Sequence, residues 1–94
     1  MITLIWGTSF KRAVKRIVRK NPQLEEKILA VLELLANDPF ANSLKSHKLR
    51  GQLDGLWACS VEYDCRIIYT FDQDSDSDNE IILLIDIGTH DEVY

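Results

Sequence analysis

The stretch TSFKRAVKRIVRKNPQLEEKILAVLELLANDP, residues 8–39, predicts two consecutive helices. In its first half, apolar residues recur at helical spacing between basic ones, which predicts an amphipathic helix with Thr8 or Ser9 as its N-cap. Asn21 suits the N-cap of a second helix, because a proline follows it. Asp38 ends that helix, since a residue before proline is pushed out of the helical region. We therefore expect a helical hairpin with a short connection.

Strand patterns lie on both sides of this hairpin. MITLIWG, residues 1–7, has the β-branched and aromatic content of a short strand. GLWACSVEYDCRIIYTF, residues 55–71, predicts two strands around a tight turn at Tyr63 and Asp64, and EIILLIDIG, residues 80–88, predicts a further strand. A strand, two helices and then strands favour an α+β fold with the helices on one face of a mainly antiparallel sheet, which the first strand can join.

Length and composition are those of one compact domain spanning residues 1–94, with 46% hydrophobic and 28% charged residues. The longest apolar run, residues 81–85, is too short for a membrane helix, and the N-terminus lacks the pattern of a signal peptide. We expect a soluble cytoplasmic protein with no membrane contact. Cys59 and Cys65 match neither a CxxC pair nor a zinc motif, so both are expected to be reduced packing residues.

The formal net charge of −4 hides a strong asymmetry along the chain. Residues 11–20 contain six basic side chains and no acid, whereas residues 61–94 contain ten acids and a single base, Arg66. This split predicts one basic surface with a partner. The acidic run at residues 72–79 lacks the glycine and the glutamate of a calcium loop, so no metal ion is expected there.

Two histidines, His47 and His90, each lie beside a predicted turn. Histidine exchanges protons near neutral pH, and the basic neighbours of His47 together with Arg66 would supply positive charge. Metal-free cleavage of RNA needs a proton acceptor, a proton donor and cations for the developing phosphate charge. The residues alone leave an alternative open, since both histidines could be ordinary surface residues.

HKLRGQLDGLWACSVEYDCRIIY, residues 47–69, and GTHDEVY, residues 88–94, resemble the RelE/ParE superfamily of toxins from type II toxin-antitoxin systems, most closely its YafQ-like branch. The resemblance covers nearly the whole chain and implies a RelE-like domain with a curved antiparallel sheet. It also implies an endoribonuclease that cuts mRNA on the ribosome without a metal or other cofactor. In this reaction a 2′-hydroxyl attacks the adjacent phosphate. The implied partner besides ribosome and mRNA is a RelB- or DinJ-like antitoxin.

The resemblance also implies the site residues. The catalytic ones are His47, Asp64, Arg66, His90 and Tyr94. Lys45 and Lys48 lie where RelE relatives use lysines, and with the neighbouring Arg50 they are expected to bind RNA. The charge pattern adds cations of the first helix, which could instead contact an acidic antitoxin or form only a solvated face. These are Lys11, Arg12, Lys15 and Arg16.

The chain departs from the YafQ-like pattern at Ser60, where a second histidine is expected, and at Asp86, where an arginine is expected on the last strand. An acid at position 86 would repel the reacting phosphate unless Arg66 substitutes for the arginine. Two alternatives therefore stand beside the nuclease: a ParE-like toxin that binds DNA gyrase without nuclease activity, and a decayed toxin that only binds. The histidine pair favours cleavage, and Asp86 favours the alternatives.

Overall fold

Two helices pack against one face of a five-stranded sheet in the computed structural model, which describes residues 1–51, 55–74, 76 and 79–89. The elements are β1 (Thr3–Trp6), α1 (Thr8–Lys20), α2 (Leu24–Asn37), β2 (His47–Lys48), β3 (Trp57–Glu62), β4 (Cys65–Gln73) and β5 (Glu80–Gly88), with a short 3-10 turn at Asn42–Leu44. The strand order is β1-β5-β4-β3-β2; β1 runs parallel to β5, and the other neighbours are antiparallel. The predicted α+β architecture is confirmed.

The start of α1 differs from the prediction. Gly7, and not Thr8 or Ser9, is the N-cap, and no side chain caps the helix. The Gly7 N–H donates a hydrogen bond of 2.9 Å to the Leu84 carbonyl of β5, and a Cβ at this position would lie 2.7 Å from that oxygen. Close approach of two backbones requires glycine here, and this requirement outranks the local preference for a capping hydroxyl.

The predicted boundary between the helices is also wrong at one residue. Asn21 is the C-cap of α1, and its N–H donates to the Ile17 carbonyl at 2.8 Å. A turn follows, in which the Leu24 N–H donates to the Asn21 carbonyl at 3.0 Å, and α2 begins at Leu24. The end of α2 is confirmed, because Asp38 is its C-cap. Among the described residues, no helix is long and apolar enough to cross a membrane.

The core lies between the helices and one face of the sheet. Phe10 of α1 and Leu35 of α2 are fully buried against strand residues such as Ile67 of β4. Cys59 and Cys65 are buried there as thiols, which confirms their predicted packing role. Burial, aided by the nearby Cys65, raises the pKa of Cys59 to about 12. The thiol therefore stays protonated at neutral pH and packs as a small apolar group.

Candidate active site

One row of paired residues crosses four strands on the sheet face that lies away from the helices. His47 pairs with Ala58, Ala58 with Ile68, and Ile68 with Asp86. Directly paired residues project from the same face of a sheet, and their neighbours along each strand project from the other. His47 and Asp86 therefore share a face, with their backbones three strand spacings, or about 14 Å, apart.

A second row lies beside the first and carries the candidate phosphate-binding residue. Ser60 pairs with Arg66, and Arg66 pairs with Gly88. Arg66 is thus on the same face as His47 and Asp86, one row closer to the β3–β4 turn. These three residues share the face that also carries a small apolar cluster. In this cluster Ala58 and Ile68 are covered by Leu49 and Leu56, from the segment after β2, and by Ile85 of β5.

A β-bulge in β5 decides where Asp86 lies. Tyr69 pairs with Leu84, but Ile68 pairs with Asp86, so Ile85 is an extra residue in β5. Simple alternation would place Asp86 on the buried face together with Leu84. The bulge reverses the alternation and places Asp86 on the face of His47, where its Oδ1 accepts a 2.9 Å hydrogen bond from the Ile87 N–H. Sequence reasoning does not detect this reversal.

The β3–β4 turn holds Arg66 in place. Its Nη1 donates to the carbonyl oxygens of Tyr63 at 3.1 Å and Glu62 at 3.4 Å. Both bonds use Nη1, and a guanidinium has further donors on Nη2 and Nε. The side chain is half-buried and borders a depression of about 350 Å³ that Lys45 also borders. The other lining residues are Ser43, Ser60, Val61, Glu62 and Tyr63.

Backbone geometry orients His47. Its Nδ1 lies 3.0 Å from the Lys45 carbonyl oxygen, and Lys45 adopts a left-handed conformation with φ 52°. A carbonyl only accepts, so Nδ1 carries the hydrogen of this bond, and in the neutral ring Nε2 is then the basic nitrogen. The histidine lies beside the 3-10 turn that ends at Lys45, as predicted, and it begins the two-residue strand β2, which was not predicted.

A chain of partly buried hydrogen bonds supports the segment before His47. The Tyr69 hydroxyl donates to Ser46 Oγ at 3.0 Å, and Ser46 Oγ donates to the Pro39 carbonyl at 2.7 Å. Burial raises the pKa of Tyr69 to about 12, although the hydrogen bond with Ser46 acts in the opposite direction. The phenol therefore remains a neutral donor that ties this segment to β4.

Asp64 lies at the end of the sheet where β5 finishes. It is exposed in the β3–β4 turn and borders a cavity of about 290 Å³. Lys20 of α1 and Thr89, the residue after β5, border the same cavity. His90 and Tyr94, both predicted to be catalytic, lie outside the described residues.

The predicted RNA-binding cations lie on different surfaces. Lys45 is near Arg66, but Lys48 projects from the opposite face to His47, and its Nζ lies 5.6 Å from the centroid of the Trp57 ring. Arg50 is exposed in the segment after β2. The predicted cations of α1 are also exposed, on the helix side of the sheet, where they belong to a basic face. This α1 basic face comprises Lys11, Arg12, Lys15, Arg16, Arg19 and Lys20.

Comparisons with known proteins identify the family. The family described as "Bacterial toxin of type II toxin-antitoxin system, YafQ" matches residues 2–94. YafQ from E. coli strain BL21(DE3) has a TM-score of 0.79 and 21% identity, covering 100% of this chain and 99% of that chain. A YoeB/ParE toxin from Agrobacterium tumefaciens has a TM-score of 0.77 and 21% identity, covering 95% and 99%.

The E. coli DinJ-YafQ toxin-antitoxin complex has a TM-score of 0.76 and 21% identity, covering 99% of this chain and 97% of that chain. At such identities the structural likeness shows the fold alone. No curated protein sequence matches the chain significantly. The match over residues 2–94 establishes the family, and the chain belongs to the YafQ family of bacterial toxins of type II toxin-antitoxin systems.

Proposed function

We propose that this toxin is a metal-independent endoribonuclease that cuts mRNA on the ribosome. The observation that carries the proposal is the shared position of His47 and Arg66 on one face of the sheet, with Lys45 beside Arg66. A proton-transfer group and cations on one surface are what phosphate-ester cleavage without a metal requires. The proposed substrate implies a cytoplasmic site of action.

The proposed reaction begins with attack of a 2′-oxygen on the adjacent phosphorus. The bond from phosphorus to the 2′-oxygen forms and the bond to the 5′-oxygen breaks, which leaves a 2′,3′-cyclic phosphate and a 5′-hydroxyl. His47 and His90 divide the two proton transfers; the bond from Nδ1 to Lys45 suits His47 for accepting the 2′-hydroxyl proton at Nε2. Arg66 stabilises the charge that develops on the phosphate. Asp64 and Tyr94 complete the proposed site through the family resemblance.

The α1 basic face has a separate proposed role. Its cations project on the helix side of the sheet, away from the face that carries His47 and Arg66. They are therefore placed to bind phosphates of ribosomal RNA, or an acidic part of a partner, and not the phosphate that is cut. Contacts of this kind weaken as salt screens them. We also propose a cognate antitoxin as partner, since E. coli YafQ forms a complex with DinJ.

The test is cleavage of a defined mRNA on purified ribosomes, mapped by primer extension. We expect cuts only when ribosomes are present, with 2′,3′-cyclic phosphate ends. A 2′-deoxy substitution on the 5′ side of the cut should prevent cleavage at that bond, because it removes the nucleophile. Cutting of the deoxy-substituted message at the same bond would exclude the proposed mechanism.

A gyrase-binding toxin without nuclease activity is the second candidate. Asp86 favours it, because a carboxylate on the proposed phosphate-binding face opposes catalysis. A supercoiling assay with purified gyrase decides between the candidates. Inhibition of gyrase by a protein that leaves mRNA intact on ribosomes would establish the second candidate and reject the first.

A further inference from the structure

Three aromatic rings line a surface depression on the helix side of the sheet, beyond the end of α2. Phe40, Trp57 and Phe71 pack with ring centroids 5.4 Å apart for Phe40–Trp57, 5.9 Å for Phe40–Phe71 and 5.4 Å for Trp57–Phe71. The depression has a volume of about 430 Å³. We call it the aromatic groove, and its lining residues are Phe40, Trp57, Phe71, Asp72, Gln73 and Glu80.

The aromatic groove is prearranged and remains open to solvent. Phe40 is 60% exposed although it contacts two other rings, and its N–H is tied to Asp38 Oδ1 at 3.3 Å. Phe71 also packs on the buried Tyr69, with centroids 5.5 Å apart. Large aromatic side chains in a preformed pocket are the usual anchors of protein–protein interfaces, because they bury much area with little loss of conformational freedom. The groove therefore has the properties of a docking surface.

The charges around the aromatic groove select the class of partner. Asp72 and Glu80 line it and are exposed. This acidic rim repels the phosphates of RNA and attracts lysine and arginine. Lys48 already lies over the Trp57 ring, so the aromatic surface is compatible with a neighbouring cation. A basic protein segment with an apolar side chain complements both features.

We propose that the aromatic groove binds a segment of the cognate antitoxin in which a large apolar side chain is flanked by lysine or arginine. The identity of the partner rests on the proposed function. The groove is remote from the candidate active site, because Arg66 and Phe71 are five residues apart on β4, about 17 Å, and project from opposite faces. Binding there anchors the antitoxin and leaves the catalytic residues untouched.

The first test compares Phe40→Ser with Leu29→Ser. Leu29 is a matched control, because it is 52% exposed on α2 and lies outside the groove. The probe is the purified product of the reading frame adjacent to the toxin gene. We expect Phe40→Ser to raise its dissociation constant about 30-fold or more and Leu29→Ser to leave it unchanged. Circular dichroism establishes that both variants are folded.

The same variants separate the aromatic groove from the candidate active site in cells. Phe40→Ser should still arrest growth, but co-expression of the antitoxin should no longer relieve the arrest. Unchanged affinity of a folded Phe40→Ser protein would overturn the groove proposal, whatever the result of the cleavage assay. If the wild-type toxin binds the antitoxin through Phe40 but does not cut mRNA, the catalytic proposal fails and the groove proposal stands.

The acidic rim gives a second, kinetic test. Glu80→Gln should lower the association rate of the antitoxin and reduce its dependence on salt, whereas Glu33→Gln on α2 should not. The aromatic groove could instead bind RNA or a second copy of the toxin. If Phe40→Ser leaves the antitoxin affinity unchanged but abolishes binding of a labelled oligoribonucleotide, or dissociates a toxin homodimer, the proposal is overturned. A wild-type toxin that does not bind the adjacent gene product would overturn it as well.

Discussion

Replacing Asp86 by arginine should increase mRNA cleavage. Arg66 of β4 pairs with Gly88 of β5, and Asp86 of β5 pairs with Ile68 of β4. Asp86 therefore lies on the same sheet face as Arg66, on the neighbouring strand and one row away. In the proposed reaction the phosphate bound by Arg66 gains negative charge in the transition state. A carboxylate beside that phosphate raises the barrier, and a guanidinium in its place lowers it.

The size of the effect follows from the sheet geometry. Diagonal neighbours on antiparallel strands lie about 7–8 Å apart. Two unit charges at about 8 Å interact by about 1 kcal/mol if the effective dielectric constant is about 40, between the protein surface and bulk water. Exchanging a repulsion for an equal attraction therefore changes the barrier by about 2 kcal/mol, which is roughly 30-fold in rate. High salt should reduce the gain.

The assay is single-turnover cleavage on ribosomes stalled at a defined A-site codon, quantified by primer extension. Glu33→Arg on α2 makes the same change in net charge on an exposed side chain far from the site, so it should not alter the rate. Arg66→Lys should lower cleavage by about 10²-fold, since lysine cannot reproduce paired guanidinium donors. If Asp86→Arg leaves the rate unchanged and Arg66→Lys is silent, neither position touches the phosphate, and the gyrase-binding alternative becomes the better explanation.

Three further predictions concern catalysis and stability. His90→Ala should lower cleavage on ribosomes by about 10²-fold or more without unfolding the protein, and wild-type cleavage by the variant would remove His90 from the mechanism. Gly7→Ala should lower the free energy of unfolding by about 1–3 kcal/mol in urea titrations, because the added Cβ would lie 2.7 Å from a β5 carbonyl oxygen. The control Ser9→Ala should have little effect, because the Ser9 side chain does not cap α1. The folded-state pKa values of Cys59 and Tyr69, both about 12, exceed the usual values of 9.0 and 10.0, so the stability that they contribute is full below pH 9 and is lost as pH rises toward 12. We expect the free energy of unfolding to fall by about 2 kcal/mol between pH 8 and pH 10, and by less in Cys59→Ala. A free energy of unfolding that does not change over this pH range would contradict the prediction.

Local signals account for the part of the fold that the sequence predicts. Helical spacing of apolar residues identifies both helices, and Asp38 before proline marks the end of α2. The tight turn at Tyr63 and Asp64 is confirmed by strands that end and begin beside it. The predicted N-cap of α1 is wrong because Gly7 contacts Leu84 of β5, a strand that lies far away in sequence. Capping preferences contain no information about such a contact.

The candidate site depends on pairing between strands, which local patterns do not contain. His47 and Lys48 are adjacent in sequence, yet they lie on opposite faces because they form a strand against β3. A histidine next to a lysine in a polar segment gives no sign of this pairing. Asp86 reaches the site face only because of the bulge at Ile85. The family resemblance predicts these positions, and only the register shows which of them share a face.

The position of β5 between β1 and β4 has a consequence for how the protein is made. This interior strand is the last described strand in the sequence, and its parallel pairing with β1 joins Thr3 to Ile81. During synthesis, β1 has no partner in the sheet, and α1 lacks the strand that it contacts most, until residues 80–88 leave the ribosome. Closing a loop of this length makes folding slow and cooperative. A nascent or truncated chain without β5 exposes its core to proteases, so toxicity should arise only after β5 has been translated.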